Sequence, residues 1–167
     1  MAAWEFQALQ NIAIQNGWHK FISMQSYHSL IGREDEREMI PYCRDAGIGL
    51  IPWSPLARGA LTRPWGSRDT TREATDRALQ VMIRSREMES DKAIADRVEE
   101  IAKRKGVTMA QVATAWSLRR GMNPILGLSS KERIDEAVGS LKVQLTEEEA
   151  KYLEEPYIPK TLSANER

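Results

Sequence analysis

Cys43 is the single cysteine of the 167-residue chain, which rules out an internal disulfide and favours a reducing compartment. Histidine is scarce too. His19 and His28 stand apart from each other and from Cys43, so the usual metal-ligand spacings are missing. No sign of charge dominates: 24 basic residues balance 24 acidic ones, and the whole-chain field offers nothing to nucleic acid or an anionic membrane. No apolar run approaches the ~20 residues that span a bilayer. The first residues lack a basic stretch followed by an apolar core, so no secretory signal is expected and a cytoplasmic location is. What is present, 41% hydrophobic and 29% charged residues, is ordinary for a globular domain or part of one.

Three short apolar runs read as buried strands: Phe21 to Met24, Ile48 to Ile51 and Pro124 to Leu128. Helical patterns alternate with them. One runs from about Trp4 to Asn16 and stops at Gly17. A second, Arg33 to Ala46, has Met39, Ile40 and Cys43 on one face and an exposed charged face over Arg33 to Glu38. The longest, about Ser90 to Lys105, should bury Ile94, Val98, Ile101 and Ala102. Capping boxes are expected at Thr108 with Gln111, Ser129 with Glu132, and Thr146 with Glu149. The connection from Leu61 to about Met88 is long enough to be a functional lid. Alternation of this kind implies a parallel sheet built from βα units. Three strands cannot close a barrel, and a complete eight-stranded one takes roughly 250 residues. The organisation is that of the second half of something.

The most informative stretch is Pro52-Trp53-Ser54-Pro55-Leu56-Ala57-Arg58-Gly59, a Pro-bracketed turn at the end of an apolar strand. Ligand sites sit at the C-terminal ends of parallel strands. Gly59 has no side chain to hold a phosphate away from the backbone, and Arg58 or Arg63 could close over one. A plain tight turn would use the same residues. A second stretch, Gly127-Leu128-Ser129-Ser130-Lys131-Glu132-Arg133, places a serine at a helix N-terminus and an arginine near the opening turn, where an anion is favoured. Taken alone, Ser129 could be only a cap and Arg133 a solvated charge.

The ordered set Met24-Gln25-Ser26-Tyr27-His28-Ser29-Leu30, Arg33 to Glu38, Pro52 to Gly59 with Leu61-Thr62, and Gly127 to Glu136 resembles the C-terminal half of an aldo-keto reductase, up to about Pro159. The branch it resembles holds aryl-alcohol dehydrogenases and fungal polyketide-pathway reductases. The resemblance implies an α/β fold, a partial (β/α)8 TIM barrel with about three parallel strands, occupying residues 1–159 and followed by a loosely ordered tail at 160–167. It further implies NADP(H) as cofactor and hydride transfer to an aldehyde or ketone, aromatic or polyketide-derived. Gln25 would pair with the nicotinamide amide and Trp53 would stack on its ring. Ser54, Pro55, Leu56, Gly59 and Arg63 would line the pyrophosphate. Gly127, Ser129 and Arg133 would surround the 2′-phosphate, and Glu136 would touch adenosine. Ala137 stands where the family usually has an asparagine that reads adenine, a loss of about 0.5–1.5 kcal/mol by ordinary hydrogen-bond magnitudes.

The family's Asp, Tyr, Lys and His catalytic set comes from the first half of the barrel. None of Tyr27, Tyr42, Tyr152, Tyr157, His19 or His28 stands in its sequence context, so no catalytic residue is expected here. Trp65 and His28 remain candidates to line a substrate pocket. The expected partners are a small carbonyl substrate and either a second copy or a complementary half-barrel, because open sheet edges invite pairing. A non-catalytic nucleotide-binding or partner-binding half-barrel, or a truncated gene product, is the alternative.

Overall fold

The computed structural model describes residues 1–161; most of the tail expected at 160–167 lies outside the described residues. Helix α1 spans Ala3–Gln15. The Ala2 N–H donates to the Glu5 carboxylate at 2.7 Å to open it, and the Trp18 N–H reaches the Ala13 carbonyl at 2.8 Å to close it. Strand β1 (Ser23–Met24) pairs in parallel with β2 (Gly49–Leu50), in register Ser23 to Gly49 and Met24 to Leu50. Between them lies α2 (Met39–Asp45), and Gly47, at φ 66°, turns its end into β2 in a conformation that costs glycine nothing.

The Arg33 to Ala46 helix is therefore broken: a 3-10 turn covers Glu34–Glu36 and the α-helix starts only at Met39. Pro41 explains the break. A helix running through from Arg33 would need its missing N–H and would drive its ring into the carbonyl of Arg37.

The third expected strand shrinks to one parallel bridge between Trp53 and Ile125. The Asn123 and Ile125 N–H groups do reach the Leu50 and Pro52 carbonyls, at 2.9 and 2.8 Å. Pro124 between them has no N–H, and nothing in the described residues pairs with the far side. The first run also departs from expectation, because Ile22 is 85% exposed and Phe21 53%. Both were expected buried; no layer among the described residues covers them.

The long connection folds into α3 (Thr71–Thr75) and α4 (Arg77–Met82), capped by Thr70 and Asp76. Then come α5 (Glu89–Lys105), α6 (Met109–Arg119), α7 (Lys131–Gly139) and α8 (Glu147–Glu154). Reciprocal cap bonds form at Thr108 with Gln111 and at Thr146 with Glu149. At α7 the cap falls one residue later than expected. Ser130, with extended backbone, accepts from the Arg133 N–H at 3.4 Å and displaces the Ser129–Glu132 box.

The main core joins Leu30 and Ile31 to α5, α6 and α8 through Ile94, Val98, Ile101, Val112, Trp116 and Leu153. A second core packs Phe6 of α1 on Met39, Ile40 and Cys43 of α2 and on Ile48 and Leu50. Trp65, expected near a substrate pocket, is instead buried in the main core with the Arg84 guanidinium 4.8 Å from its ring centroid.

The Arg33 to Glu38 stretch is not the solvated face its charges suggested. Arg33 donates to both carboxylate oxygens of Glu36 at 3.0 and 2.8 Å, and Arg120 reaches the same carboxylate at 2.9 Å. His28, fully buried, bonds Glu36 through Nε2 at 2.9 Å and stacks on Trp116, with centroids 5.2 Å apart. It faces the core and not a ligand. Burial pushes the Glu36 carboxyl up, but the His28 and Arg33 hydrogen bonds and the Arg33 and Arg120 charges outweigh it and hold it at about 2.

Tyr157 and Glu154 close this network from the far end of the chain. The Arg33 N–H donates to the Tyr157 hydroxyl at 3.0 Å, and Trp116 Nε1 donates to Glu154 at 2.8 Å. The Tyr157 hydroxyl itself donates to Glu34. Lys160 adds a backbone bond to Glu34 at 2.6 Å and an ammonium contact to buried Asp91 at 2.8 Å. Residues 157 and 160 are thus tied to the body of the fold, so the start of the tail expected to be loose at 160–167 is held in place.

Candidate cofactor site

At the C-terminal ends of β1 and β2 the backbone is strained over a short span. Ser54, Ala57 and Arg58 all adopt positive φ, at 54°, 47° and 55°. A left-handed non-glycine residue costs roughly 1 kcal/mol, and such outliers gather at functional sites. The turn is held by Ala57 N–H to the Ser54 carbonyl and Gly59 N–H to the Leu56 carbonyl, both at 2.9 Å. Gly59 sits at φ 96°, a conformation that favours glycine, while a Cβ there would only press on the movable tip of Arg63, 3.0 Å away.

This turn forms one wall of a cavity of about 910 Å³, at the upper end of the range for ligand pockets. Of the residues singled out from the sequence, Ser54, Pro55, Leu56, Gly59, Arg63, Gly127, Arg133 and Glu136 line it, together with Arg58. Gln25, Trp53 and Ser129 do not. Ser129 stands beside the lining, and its hydroxyl accepts from Arg133 Nη1 at 3.2 Å. Trp53 is half-buried next to Ser54, with its ring 5.0 Å from the Tyr27 ring. Gln25, exposed, follows the last residue of β1.

The connection from Leu61 to about Met88 was expected as a functional lid, but no individual residue of the remaining walls was singled out for the site. Thr70, Thr71, Arg72, Thr75 and Asp76 come from the long connection, and Gln111 and Thr114 come from α6. Two of these had a readable local signal, since Thr70 and Asp76 are N-cap residues whose side chains accept from the N–H groups of Glu73 and Leu79. Asp76 has a second bond set. Its carboxylate takes four contacts from Arg58 Nε and Nη2, between 2.9 and 3.3 Å, which joins the strained turn to α4. Burial raises the Asp76 carboxyl, while the Leu79 N–H and Arg58 lower it further, so its net position is below the ordinary value.

The cavity is rich in guanidinium. Arg63 donates to Thr70 Oγ1 at 2.8 Å, and its pKa is pulled down by burial; Glu73 opposes this, while the cations of Arg72, Arg84 and Arg133 add to it. A bound anion would relieve that repulsion. Of the tyrosines, Tyr42 packs edge-on to Phe6, Tyr152 donates to Glu100 at 2.7 Å and Tyr157 is held by Glu34, while Tyr27 lies against Trp53 with ring centroids 5.0 Å apart. Among the described residues no cluster of three His, Cys, Asp or Glu could hold a metal ion, and no helix is long and apolar enough to cross a membrane.

A parallel sheet with a guanidinium-rich cavity at its strand ends is a geometry that can take an anionic ligand. Residues 2–158 match the aldo/keto reductase family, and the chain belongs to it. It is 67% identical over 168 residues to versiconal hemiacetal acetate reductase of Aspergillus parasiticus, covering 100% of this chain and 49% of that protein. It is 54% identical over 160 residues to a Schizosaccharomyces pombe protein named as an aryl-alcohol dehydrogenase, covering 95% and 48%. The apo crystal structure of Gox0644 superposes with a TM-score of 0.65 at 16% identity, covering 96% of this chain and 47% of that one, which shows a shared fold. The chain spans about half the length of the curated relatives it matches. The fold is a partial aldo-keto reductase barrel, and membership supports a nicotinamide cofactor.

Proposed function

We propose that this chain is the cofactor-holding part of an NADPH-dependent reductase of small carbonyl compounds. The observation that carries this reading is the cavity, where the strained turn at Ser54–Gly59 and the Arg133 guanidinium approach one space rich in cations. The donor set fits a dinucleotide: Arg63 and Arg133 suit phosphate oxygens, Gly59 admits close backbone approach, and Leu56 and Ala137 offer apolar surface. In this pose Glu136 touches adenosine, Ser129 and Gly127 border the 2′-phosphate with Arg133, and Ser54, Pro55 and Arg63 border the pyrophosphate. Trp53 and Gln25, at the strand ends beyond Ser54, take the nicotinamide.

NADPH, when bound, supplies a hydride; this chain's residues hold and orient it and exclude water. The Asp, Tyr, Lys and His set that handles the proton belongs to the part of the family not represented here. Carbonyl turnover by the chain alone should therefore match a no-enzyme control. The relatives' names favour an aryl alcohol or a hemiacetal acetate as the whole protein's substrate.

The direct test is titration of the purified chain with NADPH and NADH, followed by tryptophan quenching. Saturable quenching that favours NADPH is expected, and its amplitude should fall in Trp53→Ala. No saturable change in a folded sample would remove the cofactor reading.

The Arg58–Asp76 pair gives a second prediction. Asp76→Asn keeps the cap acceptor but loses the charge that holds α4 to the turn. NADPH dissociation in stopped-flow should speed up about tenfold, in line with about 1–2 kcal/mol for a charge-assisted contact, with association nearly unchanged. An unaltered dissociation rate would show that the latch does not close the site.

A further inference from the structure

Helix α7 carries Arg133 and Glu136 to the cavity wall, yet little of its own chemistry seats it there. None of its nine residues is buried. The cap on Ser130, the Arg133–Ser129 contact and the Lys131–Asp135 pair all lie within residues 129–135, so they shape the helix without docking it. Among the described residues, one side-chain hydrogen bond ties α7 to another helix: Gln111 Nε2 of α6 donates to the Glu136 carbonyl at 3.0 Å. The other end of that amide is already committed. Gln111 Oε1 accepts from the Thr108 N–H at 3.0 Å, in the capping box of α6. An N–H on one side and a carbonyl on the other fix which way the amide lies.

Gly139 is the counterpart in α7. Its φ of −57° and ψ of −27° are ordinary helical values, where glycine weakens a helix relative to alanine and no left-handed turn requires it. What it supplies is room. A Cβ at Gly139 would stand 2.4 Å from Gln111 Nε2. That amide is the movable tip of a long side chain, so an added methyl would swing it off the Glu136 carbonyl and break the link. We infer that Gln111 is a positioning residue of the cofactor site: through the Glu136 carbonyl it holds α7 at the spacing from α6 that sets Arg133 against the bound nucleotide. This rests on the cofactor reading above and deepens it by naming a residue of α6 that acts through Arg133. Both side chains line the same cavity, one from each helix.

The test is Gln111→Glu in the full chain. A glutamate keeps the cap acceptor for the Thr108 N–H but sets a carboxylate against the Glu136 carbonyl. Circular dichroism should be unchanged. Without nucleotide, amide hydrogen exchange across residues 131–139 should speed up about tenfold, in line with one lost hydrogen bond. NADPH affinity should fall about tenfold and NADH affinity about twofold at most, because NADH has no 2′-phosphate for Arg133 to hold. Gly139→Ala should reproduce both changes although alanine is the better helix former. In an Arg133→Ala background, Gln111→Glu should cost NADPH binding less than about twofold, since the two substitutions act on one contact. Unchanged exchange in α7, equal losses for the two nucleotides, or a loss that adds in full to that of Arg133→Ala would each overturn the inference. A wild-type chain that binds no NADPH would overturn the cofactor reading and this role with it. One that binds NADPH while Gln111→Glu is indifferent would overturn this role alone.

Discussion

Arg133→Ala is expected to weaken NADPH binding by about 10- to 100-fold while NADH binding stays within about twofold. The proposed contact is a charge-assisted hydrogen bond to the 2′-phosphate, a group that NADH lacks. Such bonds contribute about 1.5–3 kcal/mol, and each 1.4 kcal/mol is about tenfold in affinity. The geometry already favours this use. The guanidinium is exposed at the cavity wall, and its Nη1 is steadied by the Ser129 hydroxyl at 3.2 Å. Arg133→Lys should recover part of the loss, since it keeps the charge but not the planar fork. Parallel titrations with the two nucleotides decide the matter. Equal losses for both would place Arg133 on a phosphate they share, and no loss would remove it from the site.

Glu36→Gln should destabilise the fold by about 3 kcal/mol. The amide cannot balance Arg33 and Arg120, and it leaves buried His28 without its anionic partner. Breaking such a network from one side costs more than the network itself contributes. The same carboxylate sets an acid limb. Its pKa is held at about 2 in the folded chain against an ordinary 4.5, so its contribution is complete above pH 4.5 and is lost as pH falls toward 2. With Glu36 partly open to solvent, that contribution is about 2 kcal/mol. Urea unfolding at pH 7 and pH 3 measures both effects. The wild-type chain should lose stability between the two, and Glu36→Gln should lose visibly less. Parallel pH curves for the two proteins would mean that Glu36 is not the group that titrates.

The helices were legible because their signals are local. Apolar spacing placed Ile94, Val98, Ile101 and Ala102 inside α5, and hydroxyl–carboxamide and hydroxyl–carboxylate pairs opened α6 and α8. The same logic slipped by one residue at α7, where two adjacent serines both fit a cap and Ser130 takes it while Ser129 bonds the Arg133 guanidinium. In the site, motif spacing brought the turn residues and Arg133 to attention. It could not bring in Thr70, Arg72 or Asp76, which reach the cavity only because the long connection folds back over it.

Sequence alone determined which family this chain belongs to, where its helices begin, and that it carries part of a barrel, because these depend on residue type and short-range order. Tertiary structure decided the rest. It turned the charged run Arg33 to Glu38 into a half-buried network with His28, Arg120, Glu154 and Tyr157, partners as far as 124 residues away. It left Phe21, Ile22 and Val138 in solvent although their chemistry asks for burial. An apolar residue records a preference for being covered, but whether a neighbour is there to cover it depends on which other segments arrive in space.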